Sequence, residues 1–322
     1  MTLAPAVAAV RLAVRRSLVD VGDHTVLVAC SGGADSLALL AATVFEARRT
    51  PWHVLGVTVD HGLQDGSKER AEQVVRQMAQ LGADETAAVR VDVDPGGRGI
   101  EAAAREARYA VLEEVAARSG SHVVLLGHTL DDQAETVVLG LTRGSGGRSL
   151  AGMRPAFGDF RRPLLDITRA QTEAACRAES IEFWSDPHND DPRFTRSRVR
   201  HRVLPVLEEE LGPGVTAALA RTAESLRPDM EALDRLADCL YGESRRPDGV
   251  DTRALESHPS ALVTRVLRLA ALEAGSPASE LFRVHVNAMH GLVDGGTRGE
   301  VQLPGHVTAY RTEDRLAFRR TD

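Results

Sequence analysis

The sequence predicts an α/β fold, a doubly wound parallel sheet followed by a smaller, mainly helical second domain that ends in short strands. Three observations carry this reading. Near-continuous Val/Leu runs alternate with helical segments through the first part of the chain, the pattern of parallel strands covered on both faces. A glycine turn, Ser31-Gly32-Gly33-Ala34-Asp35-Ser36, joins the first such run to a helix. Beyond Gly212-Pro213-Gly214 the pattern turns helical, which places a domain boundary there and divides the chain into 1–212 and 213–322.

Each element has its own signal. The apolar opening continues into Arg11, Arg15 and Arg16 and reads as an amphipathic helix; no basic segment precedes it, so it is not read as a signal peptide. Strands are expected at 25–30, 53–59, 86–93 and 122–127, each followed by a helix, at 34–47, 67–81, 99–118 and 131–141. The glycines of 144–149 read as a flexible loop, and a helix follows over 170–179. Asp186-Pro187-His188-Asn189-Asp190-Asp191-Pro192 is turn chemistry, after which a basic helix runs to about Glu210. A long helix from Val215 to about Tyr241 should be kinked or divided by Pro228. Two more helices, near 260–273 and 278–293, lead to short strands over 299–319.

Bulk properties narrow the function. At 322 residues the chain has room for two domains and a sizeable core. Its 43% hydrophobic and 26% charged content is that of an ordinary globular protein. No apolar run reaches the roughly 18–20 residues that cross a bilayer, so no membrane partner is expected. Cys30, Cys176 and Cys239 lie far apart without a CxxC pair, which argues against zinc, iron–sulfur and disulfide chemistry and fits a reducing cytoplasm. A net charge of −7 opposes indiscriminate nucleic-acid binding but leaves room for a local basic site. Lys68 is the only lysine, for which codon bias is the simplest account.

The residues that suit chemistry sit at strand ends. The turn at 31–36 directs backbone N–H groups and a helix N-terminus at an anion. It lacks the lysine of a Walker A loop, and Asp35 is placed to hold Mg²⁺ between protein and triphosphate. The second strand closes on Asp60-His61-Gly62-Leu63, where Asp60 reads equally as a nucleotide or metal contact and as a cap or turn residue. The fourth closes on Gly127-His128-Thr129-Leu130-Asp131-Asp132-Gln133-Ala134-Glu135-Thr136. Asp131 and Asp132 suit Mg²⁺, and equally the positive end of a helix dipole. His128 suits a phosphate donor or an acid, against the structural role that a lone histidine usually has. Glu101, Arg105 and Arg108 share a helix face; the first two read as an ion pair, leaving Arg108 for phosphates. The run 193–202 holds five arginines and no acid. Such runs are mostly solvated faces, but this one also suits RNA or triphosphate, with Val199, Val203, Leu204 and Val206 holding its other side to the domain.

Taken in order, SGGADS, VDHGL, EAAAREARY, GHTLDDQAET with RGSGGRSLAGM, RRPLL and DPHNDDPRFTRSRVRHRVLPVL resemble the tRNA(Ile)-lysidine synthetase family of PP-loop ATP pyrophosphatases, in its short form. The resemblance covers about residues 22–210, and the GHxxDDQAET and RxRxRH blocks are its specific parts; SGGxDS marks only the superfamily. It implies a Rossmann-like ATPase domain followed by a tRNA-binding domain. The implied reaction adenylates the C2 oxygen of the wobble cytidine in the CAU-anticodon isoleucine tRNA and releases pyrophosphate. The ε-amine of free L-lysine then displaces AMP, and the lysidine formed switches decoding from AUG to AUA.

The resemblance also implies roles. Ser31, Gly32, Gly33, Ala34, Asp35 and Ser36, with Asp60 and His61, would bind ATP, and Asp35 and Asp132 would lie near Mg²⁺. Asp35, Arg108, His128, Asp132 and Arg200 would be catalytic, Asp131 or Glu135 would receive lysine, and Arg196, Arg198 and Arg202 would contact tRNA. Dimers occur in the family, and the helix from Val215 offers one surface for a homodimer. Three features depart from the family pattern: Gln64 stands where arginine is common, Ser197 where asparagine is frequent, and RSLAGM replaces GLxGM. Two rival readings are a sulfur-inserting tRNA 2-thiocytidine synthetase, which the missing CxxC disfavours, and a non-catalytic nucleotide-binding regulator, which would need neither the acidic pair nor the basic helix.

Overall fold

Proline at its first turn, where a missing N–H costs nothing, starts helix α1 (Pro5–Ser17), and Val7, Val10 and Val14 form its buried stripe. Burial of each valine contributes about 1.5–3 kcal/mol. The computed structural model describes residues 3–22, 24–62, 66–91, 100–144, 146–184, 191–295 and 299–321. Beyond α1, β1 (Thr25–Ala29), α2 (Ala34–Ala47), β2 (His53–Asp60), α3 (Ser67–Gln80), β3 (Glu85–Arg90), α4 (Ile100–Ser119), β4 (Val123–Leu126) and α5 (Leu130–Arg143) alternate as the sequence predicts. The end predicted for the third strand, at 92–93, lies outside the described residues. So do Leu63, Gln64, Ser145, 186–190 and the side chain of Glu101.

Short elements follow: α6 (Gly147–Leu150), β5 (Ala156–Phe157), β6 (Phe160–Arg161) and α7 (Arg169–Ala178). The helical turn α6 corrects the part of the expected loop from Gly147 on: the seat is tight, since a Cβ on Gly147 would lie 2.8 Å from Met230 Sδ. Thr168 caps α7 in a reciprocal box with Gln171.

The first sheet has strand order β3-β2-β1-β4-β6-β5, parallel except for the β5–β6 hairpin. Alternate side chains of β1 serve opposite faces. Val26 and Val28 pack with Leu37, Leu40 and Val123; Leu27 packs with Leu112, Val124 and Phe160. The order reverses between β1 and β4, so a crevice opens at their carboxyl ends. Gly127, the residue after β4, closes up against the turn that follows β1. A Cβ there would lie 3.1 Å from Ser36 N and 3.2 Å from the Asp35 carbonyl carbon.

The basic segment is not one regular helix. It runs as α8 (Thr195–Arg198), a π-helical turn over Val199–Val203 and α9 (Leu204–Leu211). Val199 and Leu204, five apart, are both buried against Ala134 and Val138. Val203 and Val206, expected inside, are exposed, because the wider turn moves the apolar phase on by one residue.

By compactness the chain divides into 1–139 with 152–221, and 140–151 with 222–322. The sequence reading divides it at 212/213 and keeps 140–151 in the first domain. Helix α10 (Val215–Ser244) continues undivided through Pro228, which removes only one N–H from its ladder. Then come β7 (Arg245–Arg246), β8 (Gly249–Asp251), α11 (Ser260–Glu273), α12 (Arg283–Val293), β9 (Glu300–Leu303), β10 (Val307–Thr312) and β11 (Arg315–Arg320). Their strands form one antiparallel sheet, β7-β8-β11-β10-β9, larger than the short strands expected. Helix α12 starts later than predicted, where His285 Nδ1 accepts the Phe282 amide at 3.1 Å. Leu255, Leu267, Met289 and Leu316 centre this second core. Among the described residues no helix is long and apolar enough to cross a membrane.

Candidate active site

The turn after β1 is held by its own polar groups. Ser36 Oγ accepts the Ser31 amide at 3.1 Å and donates to the Gly33 carbonyl at 3.0 Å. Gly32 has φ +83°, and a Cβ on it would strike Val74 Cγ2 at 2.7 Å, so glycine is required twice over. Its carbonyl accepts the Trp184 amide at 3.0 Å, and the Arg70 guanidinium stacks 3.1 Å from the centre of the Trp184 ring. The loop is a rigid strand-to-helix turn whose helix, α2, begins at its centre.

A carboxylate–arginine cluster lies beside it. Glu135 is fully buried and takes Arg196 Nε and Arg200 Nε, each at 2.7 Å. Asp132 Oδ1 meets Arg169 at 3.1 Å and both Arg196 and Arg200 at 3.3 Å. Its other oxygen accepts the Thr129 amide and hydroxyl at 2.8 and 3.0 Å, which is the helix-start role read from the sequence. Asp35 accepts the Thr172 hydroxyl and lies 3.7 Å from Arg169 Nε. Asp131 caps the start of α7 by accepting the Arg169 amide at 2.8 Å.

Burial and charge set the ionisation. Burial pushes the Asp35 carboxyl up to about 6, against the pull of Thr172 and Arg169. Burial would raise Asp132 as well, but Arg196 and Arg169 outweigh it and hold the acid below its ordinary range. Burial opposes the charge on Arg200, and its bonds to Glu135 prevail, so its pKa rises.

The other residues form a cationic cluster. Arg108 is depressed by burial and then by Arg105 and Arg196. His128 is driven down to about 3 by burial, with Arg162, Arg108 and Arg196 adding to the effect against Asp132. It is therefore neutral at physiological pH, a correction to its reading as an acid. Its Nδ1 lies 3.3 Å from Arg162 Nε. Asp60 is buried and accepts the Gly62 amide at 2.9 Å, which matches the turn reading. His61 is lowered by burial and by Arg108, and its buried Nδ1 has no partner among the described residues.

The expected tRNA arginines separate. Arg196 turns into the carboxylate cluster. Arg198 closes its own loop on the Pro192 and Arg193 carbonyls at 2.7 and 3.0 Å, and Arg202 is exposed. Sequence reasoning missed Arg169, Thr172, Tyr109 and Arg162. Only the RRPLL motif, which contains Arg162, and the EAAAREARY stretch, which ends on Tyr109, gave a signal, and neither residue was given a role.

The donor set suits a hard divalent ion. Asp35 and Asp132, from different helices, converge on one cationic group, here the Arg169 guanidinium. No set of three or more metal-ligating side chains occurs among the described residues, so such an ion would take its remaining oxygens from a triphosphate or water.

A PP-loop domain family matches residues 8–207, and a TilS substrate binding domain matches residues 251–317. The tRNA(Ile)-lysidine synthase of Thermobifida fusca is 53% identical over 94% of each chain. That of Streptomyces coelicolor is 49% identical over 98% of each. Among solved structures, the U34-tRNA thiolase NcsA from Methanococcus maripaludis, with its 4Fe-4S cluster, shares the fold at a TM-score of 0.56 and 20% identity. That match covers 69% of this chain and 79% of the other. A PP-loop sheet whose glycine turn faces paired carboxylates, and near-full-length identity of about half, lead to one assignment: this chain belongs to the tRNA(Ile)-lysidine synthase family.

Proposed function

We propose that this chain is a cytoplasmic, ATP-dependent ligase that joins L-lysine to C2 of the wobble cytidine in the CAU-anticodon isoleucine tRNA. The observation that carries this reading is the meeting, at the carboxyl ends of β1 and β4, of a backbone-lined anion turn, two acidic side chains and a cationic cluster. Attack of the cytidine oxygen on the α-phosphate needs the β,γ-pyrophosphate held as a leaving group. The turn at 31–36 and the start of α2 hold it with N–H groups. Asp35 and Asp132 would carry Mg²⁺, which supplies charge neutralisation on the phosphates. Arg108 and the neutral donor His128 stabilise charge as it develops at the α-phosphate and on the activated base. Arg200, already bonded to Glu135, adds positive charge at the same place.

Lysine then attacks C2 and AMP departs. Asp131 and Glu135 are the acids nearest in sequence to this chemistry, though both already accept bonds, so a lysine ammonium would have to compete with Arg169 and Arg200. The second compact unit, matched to a substrate binding domain, is the part assigned to tRNA. Of the three thiols, Cys239 is exposed in the second unit, and the two in the first unit are unsuited to sulfur insertion. Burial raises both Cys30 and Cys176 to about 12, Asp35 adding to the effect at Cys176, so neither supplies a thiolate at neutral pH.

The test is incubation with ATP, Mg²⁺, radiolabelled lysine and bulk bacterial tRNA. ATP-dependent label in the RNA is expected, and Asp35→Ala should abolish it while tRNA binding persists. Folded, ATP-binding protein that incorporates no lysine would overturn the reading.

A further inference from the structure

Arg162 is nearly fully buried, at 7% exposure, and yet among the described residues none of its hydrogen-bond partners is a carboxylate. Its Nε faces His128 Nδ1 at 3.3 Å, one terminal nitrogen donates to the Arg154 carbonyl at 2.6 Å, and the other to the Tyr109 hydroxyl at 3.2 Å. The guanidinium carbon lies 4.4 Å from the centre of the Phe157 ring. Tyr109 is itself wedged edge-on against Phe160, 5.0 Å between centroids. A buried cation with only neutral partners is costly, and an apolar side chain would fill the same space more cheaply. Its charge and donors therefore serve a neighbour.

That neighbour is the imidazole. A guanidinium nitrogen only donates, so the His128 nitrogen facing it must present a lone pair, and the single proton of the neutral ring must sit on Nε2. Three anchors fix Arg162: the Arg154 carbonyl, the Tyr109 hydroxyl, and its own amide, which donates to the Pro155 carbonyl at 2.7 Å. His128 follows directly on Gly127, the residue after β4 that abuts the phosphate turn.

We propose that Arg162 is a positioning residue that locks His128 in the Nε2–H tautomer, so that the imidazole acts as a neutral hydrogen-bond donor to the reacting phosphoryl group or base. The donor role rests on the reading of His128 under Proposed function; the tautomer assignment does not. Tyr109 is part of the same device, because its hydroxyl holds the far end of the guanidinium.

Two-bond ¹H–¹⁵N correlation spectra of the full chain, labelled at histidine and recorded near neutral pH, read the tautomer directly. The His128 signal is identified by its loss in His128→Gln. Wild type should show the Nε2–H pattern, and Arg162→Met should shift it to Nδ1–H or to a mixture. Tyr109→Phe, which leaves the charge in place, should shift it partially and serves if Arg162→Met does not fold. For Arg162→Met, kcat for tRNA-dependent pyrophosphate release should fall roughly 10–100-fold, while KM for ATP changes less than about 3-fold. A wild-type Nδ1–H pattern, or an Nε2–H pattern unchanged in both variants, overturns the proposal. A shifted tautomer with unchanged turnover upholds the positioning role and overturns the part given to His128 in the proposed reaction.

Discussion

Two arginine clusters in the first compact unit solve opposite problems. Around Glu135 and Asp132, three guanidiniums from α7, α8 and the π turn are matched by three acids, Asp35 included. Around His128, Arg162 is met by a ring nitrogen, a carbonyl and a phenol. The first is charge-balanced and holds the fold around the phosphate turn. The second, among the described residues, keeps positive charge in a buried place without a bonded carboxylate on Arg162, which suits a site that receives an anion. Arginine content alone does not separate the two; what faces each guanidinium does.

Removing an acid from the balanced cluster should do the most damage. Glu135→Ala leaves Arg196 and Arg200 with a single shared carboxylate, Asp132. It should cost about 3–5 kcal/mol in denaturant unfolding. A loss below about 1 kcal/mol would show the cluster to be open to water.

The unbalanced cluster should show itself in acid. Burial and the neighbouring arginines hold the folded His128 pKa at about 3, below its ordinary 6.5. A depressed pKa gives stability that is present above the unfolded value and is lost as pH falls toward the folded one. At pH 5 that loss is about 2 kcal/mol. His128→Gln should remove this part of the acid destabilisation, measured as unfolding free energy between pH 7 and 5. An unchanged pH profile would mean that the imidazole protonates in the folded chain.

The smallest effect separates neighbours within one basic segment. Exposed Arg202→Ala should lower the salt slope of tRNA binding by about 1 and leave stability unchanged. Arg196→Ala, one turn and a half earlier, should instead lower the unfolding midpoint. If Arg196 alone moves the salt slope, Arg196 exchanges Glu135 for phosphate when RNA binds.

What was legible in the sequence was local or periodic. The Val/Leu strands, the glycine turn and the Gly212-Pro213-Gly214 break each announce themselves within a few residues. What was not legible came from distance along the chain. Arg169 and Thr172 meet Asp35 from more than 130 positions away, and Arg162 reaches Tyr109 across 53. No spacing rule connects such pairs. The fate of Arg196 was hidden for the same reason: a run of arginines looks like one face until its acids are found, and those acids stand on α5. Val203 was misplaced because the α-helical period was carried through a π turn.

That turn has a history written in its length. Val199 and Leu204 reach the same apolar neighbours five residues apart, a step that an α-helix makes in about four. A chain one residue shorter would keep both contacts as an uninterrupted helix. The surplus residue bulges His201, Arg202 and Val203 toward solvent. Deletion there should be better tolerated by the fold than substitution of Val199 or Leu204 beside it.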